Sequence, residues 1–297
     1  MSQFNKGVSL IIISAASFGL LPLFATYAYQ AGVNVTTLLF LRFTIASSLF
    51  FGYLIVRREN LSVNRSQLVS LMLLGGVLYN MQSNLYFSSV QYIPASLAVL
   101  LLYTYPVFVT LLASVVDREA IGKKVWFAIG ISFLGLILVL GTSFGKVNLF
   151  GVSIAFGAAV VYSCYIVLGN RVIKGISPLV TSSFVTLFAA IALLLTGLVK
   201  GSLDFSFPTE GWLPVLGIVI FPTLIAISTF FKGMEYIGST RASILSMIEP
   251  LVTIGFSAWL LGERMSFIQG FGSLIVITGA LLVVLEGEKN KEQATGV

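Results

Sequence analysis

Two charges stand where an apolar run should be unbroken. Glu249 lies in SMIEPLV (246–252), and Arg42 lies in TLLFLRFTIA (37–46). An ionised side chain at the centre of a membrane costs about 2.5–3.5 kcal/mol on insertion scales, so something must offset each one. A carboxylate so placed has three outlets: pairing with a cation, taking up a proton, or facing a polar cavity. Glu249 and Arg42 are therefore read as a charged centre, either as an ion pair or as two charges on one polar interior; a purely structural role is the alternative. The chain has no histidine and one cysteine, Cys164, so the usual neutral-pH proton carrier and any cluster of thiolate ligands are absent. A proton carried at this depth would therefore ride on Glu249. No metal and no organic cofactor is expected.

A second group of residues can bind without reacting. YNMQSNLYFSS (79–89) puts Tyr79, Asn80, Gln82, Ser83 and Asn84 at mid-depth of an apolar segment. Asn80, Ser83, Asn84 and Phe87 follow i, i+3, i+4, i+7 spacing, one helical face that lines a cavity or bonds to other helices. Phe18, Tyr103, Tyr105, Tyr162 and Tyr165 gather at similar depths, and Ser246 lies one turn before Glu249. Tyrosine offers an apolar face and a polar tip, a lining that suits an amphipathic organic solute or, through cation–π contact, a cationic one. Ordinary bundle packing is the other reading. Pro22, Pro106, Pro222 and Pro250 interrupt spans; each removes a backbone donor and bends its helix, as a static kink or as a hinge.

The elements that must position these residues are membrane helices. The chain is 57% hydrophobic and 9% charged, with a mean hydropathy of +1.01, far from the mixture of a water-soluble domain. Ten apolar segments are read at 7–28, 35–56, 67–89, 93–116, 124–142, 149–169, 177–199, 211–231, 238–260 and 267–285, each about long enough to cross ~30 Å of hydrocarbon. With the N-terminus inside, thirteen Lys and Arg residues fall on cytoplasmic segments and three, Lys146, Lys200 and Arg264, on outer loops. That asymmetry places both termini in the cytoplasm and accounts for the net charge of +6 without a nucleic-acid partner.

A shift of 144 residues lays YIPASLAVLLLYTYPVFV (92–109) on YIGSTRASILSMIEPLVT (236–253), with Tyr92 on Tyr236 and Pro106 on Pro250. The same shift carries Glu119 to Glu263, Gly135 to Gly279, and GVS at 7–9 to GVS at 151–153. The chain is thus expected to be an all-α integral membrane protein of ten transmembrane helices, in two five-helix repeats at 1–145 and 146–287 and a disordered cytoplasmic tail at 288–297. Five is odd, so the second repeat enters from the opposite side, an inverted arrangement typical of secondary transporters. Glu119 and Glu263 are expected to cap or pin tight turns, or to pair with neighbouring Lys123 or Arg264. Gly130, Gly135, Gly270 and Gly279 are expected to permit close helix contact.

With its ten spans in two halves, YIPASLAVLLLYTYPVFVTLLASVVDRE in the first and the mid-helix Glu-Pro followed by Gly-Glu in the second, the chain resembles the EamA-type branch of the drug/metabolite transporter superfamily. The resemblance implies a carrier or exporter of small metabolites with a central cavity lined mainly by helices 1, 3, 4, 6, 8 and 9. The first half departs from the motif at Tyr105, which stands where the second half has Glu249. The expected function is alternating-access transport of a small organic solute across the cell membrane, an amino acid leading and a drug-like cation or a channel behind it. An enzyme is excluded on parts: the spans hold no nucleophile–base pair and no paired carboxylates, and GTSFGKVN (141–148) lacks the spacing of a nucleotide loop.

Overall fold

A computed structural model describes residues 2–89, 92–93, 95–116, 118, 121–140, 148–261 and 266–295. Glu119, Glu263 and the junction at 145–146 lie outside the described residues. Among those described there is no strand.

Several of the helices start where short polar side chains take the orphan amides of a first turn. Ser2 opens α1 (Gln3–Gly19), which passes through Leu20 into α2 (Leu21–Gln30). Asn34 caps α3 (Val35–Val56), its Oδ1 accepting from Thr37 N at 2.8 Å. Asn64 and Gln67 form a reciprocal capping box on α4 (Arg65–Met72), which continues through a π-helical stretch, Leu73–Tyr79, into α5 (Asn80–Ser89). Then follow α6 (Ala95–Leu102), α7 (Tyr105–Val116) and α8 (Lys123–Leu140). Asn148 caps α9 (Leu149–Val172), and Ser177 caps α10 (Pro178–Lys200), which ends on left-handed Gly201. The last third is α11 (Trp212–Val219), a second π stretch at Ile220–Ile225, α12 (Ala226–Leu245), a 3-10 turn at Ser246–Ile248, α13 (Glu249–Leu261) and α14 (Phe267–Thr295).

Seven helical stretches among the described residues are long and apolar enough to cross a membrane, one of them a 48-residue run, Thr209–Phe256. Gly238, at φ 80° and ψ 169°, breaks that run with a backbone that a side chain would strain. The helical stretch 65–89 is not among the seven: Asn80, Gln82, Ser83 and Asn84 dilute its apolar content. Helix α14 continues to Thr295, through the segment expected to be a disordered tail; EKNKEQA is rich in residues of high helix propensity.

Pairwise packing sets the bundle. Helix α8 lies along α14, α3 along α10, α1 along α12 and α5 along α9. Glycines let the backbones meet. A Cβ on Gly135 would sit 2.7 Å from Gly272 O, and one on Gly279 2.9 Å from Ala128 O. A Cβ on Gly7 would meet Ile237 Cγ2 at 2.6 Å and Tyr236 Cβ at 2.8 Å; one on Gly151 would meet Ile93 Cγ2 at 2.8 Å and Tyr92 Cβ at 2.7 Å. Gly130, expected to serve the same purpose, has open space around it.

Candidate functional site

Glu249 opens α13, directly after the 3-10 turn, instead of lying in the middle of a regular helix. Tyr105 opens α7 after a break at Tyr103–Thr104 in the same way. In both segments proline takes the second position, where the missing N–H is an orphan in any helix. Pro106, Pro250 and Pro22 thus begin helical segments, and Pro222 lies in the π stretch. The carbonyls that a mid-helix proline would free are mostly absorbed by these breaks.

Glu249 is half-buried as a residue, with its carboxyl closely surrounded by protein. The Tyr103 hydroxyl lies close to it, and Arg42 acts on it through space. Tyr86, Tyr105 and Tyr162 are also within its electrostatic reach. The end of α1 closes one side: a Cβ on Gly19 would meet Glu249 O at 2.9 Å, and Thr253 Oγ1 donates to Gly19 O at 2.9 Å.

From Glu249 the tyrosines run in an unbroken series. Ring centroids of Tyr103 and Tyr105 are 5.9 Å apart, of Tyr105 and Tyr162 4.8 Å, of Tyr162 and Tyr165 5.9 Å, and of Tyr165 and Tyr79 6.3 Å. Tyr79 meets Phe43 edge-on at 5.0 Å, and the Arg42 guanidinium lies 4.8 Å from the Phe43 centroid. These separations are those of favourable edge-to-face and offset pairs. One residue of the series is anchored twice: Tyr105 Oη donates to Ser243 O at 3.1 Å, and Ser163 Oγ donates to the Tyr105 backbone O at 3.1 Å.

Arg42 is almost fully buried, and no ion pair joins it to Glu249 among the described residues. Its Nε donates to Thr223 Oγ1 at 2.7 Å and its Nη2 to Pro222 O at 2.8 Å. The reason is local to the second π stretch. Pro222 cannot donate to Ile218 O, so the Thr223 hydroxyl does, at 2.8 Å, and turns its lone pairs to the arginine. The guanidinium is thus satisfied by a distorted helix.

The polar run of α5 turns mostly inward on itself. Asn80 is buried, but its amide donates to Gly75 O at 3.1 Å and Gly76 O at 3.2 Å, capping the first π stretch. Asn84 is exposed and donates to Asn80 O; Ser83 faces Gln82 at 3.4 Å. The Phe87 side chain lies outside the described residues. Buried Ser246 bonds back to Ala242 O at 2.9 Å, and Phe18 packs on the core. Sequence reasoning missed Tyr86, seven residues from Tyr79 on the same helix, and Thr223, whose signal was its place after an intramembrane proline. No group of His, Cys, Asp or Glu fit for a metal occurs among the described residues.

Comparison with known proteins agrees on the class. The chain is 25% identical over 300 residues to the uncharacterized transporter YcbK of Bacillus subtilis, covering 98% of this chain and 95% of that one. It is 29% identical over 278 residues to an uncharacterized transporter of Archaeoglobus fulgidus, covering 93% and 95%. The uncharacterized inner membrane transporter YicL of Salmonella typhimurium is 23% identical, covering 99% of this chain and 100% of that one. A solved crystal structure with 21% identity superposes with a TM-score of 0.80 over 96% of this chain and 99% of that one, and shares the fold. The model of the EamA-like transporter family matches twice, over residues 5–141 and 149–285, so this integral membrane protein belongs to the EamA-like transporter family.

Proposed function

We propose that the protein is a secondary carrier that moves a small organic metabolite, an amino acid first among candidates, by alternating access and in the outward direction. The observation that carries this reading is the tyrosine series leading away from Glu249: a carboxylate for a cationic group, and aromatic faces for an apolar body. Helix breaks beside the site, at Tyr103–Thr104 and at Ser246–Ile248, give segments that can rotate without breaking long hydrogen-bond ladders.

The architecture proposed with it is ten crossings in two inverted repeats, with both termini cytoplasmic. Two family matches, the second starting at residue 149 against 5 for the first, support a repeat at 144 residues. So does the matched contact of Gly7 with Tyr236 and Ile237 and of Gly151 with Tyr92 and Ile93. The excess of Lys and Arg on one set of segments supports the orientation.

Counterflow of a labelled amino-acid and metabolite panel in proteoliposomes tests the carrier, because exchange needs no assumption about energy source. Saturable exchange that is lost in a folded Glu249→Gln protein supports the reading. Retained exchange makes Glu249 a packing residue. Proton dependence that persists unchanged in Glu249→Gln removes Glu249 as the proton carrier.

A further inference from the structure

Outside the tyrosine series, α1 and α12 leave a cleft lined by Lys6, Ser9, Leu10, Lys232 and Tyr236. Lys6 is exposed and has no side-chain partner among the described residues. Lys232 lies 4.9 Å from the Tyr236 ring centroid and pairs with Glu235 at 2.6 Å. The cleft therefore holds one cation more than its carboxylate balances. Its floor is apolar, and Leu10 and Ile13 continue along the face of α1 that carries Lys6, with Ile13 46% exposed.

Packing does not require these cations. The matching crossing of α9 on Tyr92 is made with Phe150 in the position of Lys6, its ring 5.1 Å from Tyr92 and edge-on to it, and with Ser88 in the position of Lys232. One crossing is finished with an aromatic pair and the other with two lysines. Lys6 lies near the start of the first span, at the depth where a bilayer turns from acyl chain to headgroup.

We propose that this cleft binds the headgroup of an anionic phospholipid, with phosphate on Lys6 and Lys232 and an acyl chain along Leu10 and Ile13. The site is independent of the cargo. It is tested by the amount of phosphatidylglycerol retained by the purified protein in native mass spectrometry, with phosphatidylcholine as the neutral reference. Lys6→Gln with Lys232→Gln should lower retention roughly tenfold to thirtyfold, the effect of two cations at a membrane surface. Lys123→Gln with Lys124→Gln, an equal change of charge on exposed residues at the start of α8, should leave retention unchanged. Glu235→Gln should raise it by releasing Lys232. Equal losses from the two lysine pairs, or no gain from Glu235→Gln, would overturn the site. Protection of the protein against heat by inorganic phosphate alone, as strong as that by the lipid, would overturn the lipid as its occupant.

Discussion

Thr223→Val should destabilise the protein more than Arg42→Met, although the second removes a charged side chain. In Arg42→Met the Thr223 hydroxyl keeps its bond to Ile218 O, and Pro222 O is the one acceptor that loses a hydrogen bond it does not replace. One orphaned carbonyl costs about 1–3 kcal/mol. Against it stands the ~2.5–3.5 kcal/mol cost of holding an arginine in the bilayer, which disappears with the charge. The net change runs from about 0.5 kcal/mol of destabilisation to about 2.5 kcal/mol of stabilisation. Thr223→Val keeps the charge, takes the acceptor from Arg42 Nε and frees Ile218 O, which is two buried groups at a cost of about 2–6 kcal/mol. Adding Arg42→Met to Thr223→Val should therefore restore part of the loss. Unfolding of the four proteins by SDS in lipid-containing mixed micelles closes the cycle. A double variant no more stable than Thr223→Val alone would refute the view that arginine and π stretch are satisfied by each other.

Gly135→Ala should separate α8 from α14 and cost about 1–3 kcal/mol by the same unfolding measurement, whereas Gly130→Ala, with open space around it, should be neutral or stabilising by up to about 1 kcal/mol. Asn80→Leu should lower stability by about 1–2 kcal/mol through the lost amide bonds to Gly75 O and Gly76 O, and should leave the affinity for a transported solute, read as the KM of exchange, unchanged. Exchange of the two matched residues, Tyr105→Glu with Glu249→Tyr, should fail to give folded protein by size-exclusion chromatography, because a carboxylate at 105 would face Ser243 O where a hydroxyl now donates.

The apolar runs located the helices because, in lipid, a backbone must satisfy its hydrogen bonds within its own segment. Where those runs break was harder to read. Glu249 and Tyr105 were expected in mid-helix, but each opens a segment, since a proline in the next position is best accommodated by a first turn. The tyrosines were legible as a group from depth alone, and they do come together. For Asn80, periodicity gives the face of the residue, but not whether its amide reaches outward or back to its own helix, as it does. Arg42 was legible as a charge that needs a partner. Its partners were not, because they depend on a missing proline amide about 180 residues away in the chain.

The shift of 144 residues that aligns the packing glycines does not align the charges. It carries Arg42 to Thr186 and Glu249 to Tyr105, so each half supplies one charged residue and one neutral counterpart. Thr186 spends its hydroxyl on Ser182 O and Ser183 O of its own helix, and Tyr105 spends its own on Ser243 O. The neutral members are thus built into the frame by hydroxyls that donate to backbone carbonyls, which an ionised carboxylate at 249 cannot do. If the two halves exchange conformations, the exchange conserves the packing and moves the charge, because only the packing contacts have equivalents on both sides. The two end states would then present a solute with different chemistry, and that difference lies in residues 42, 105, 186 and 249 and not in the helices that carry them.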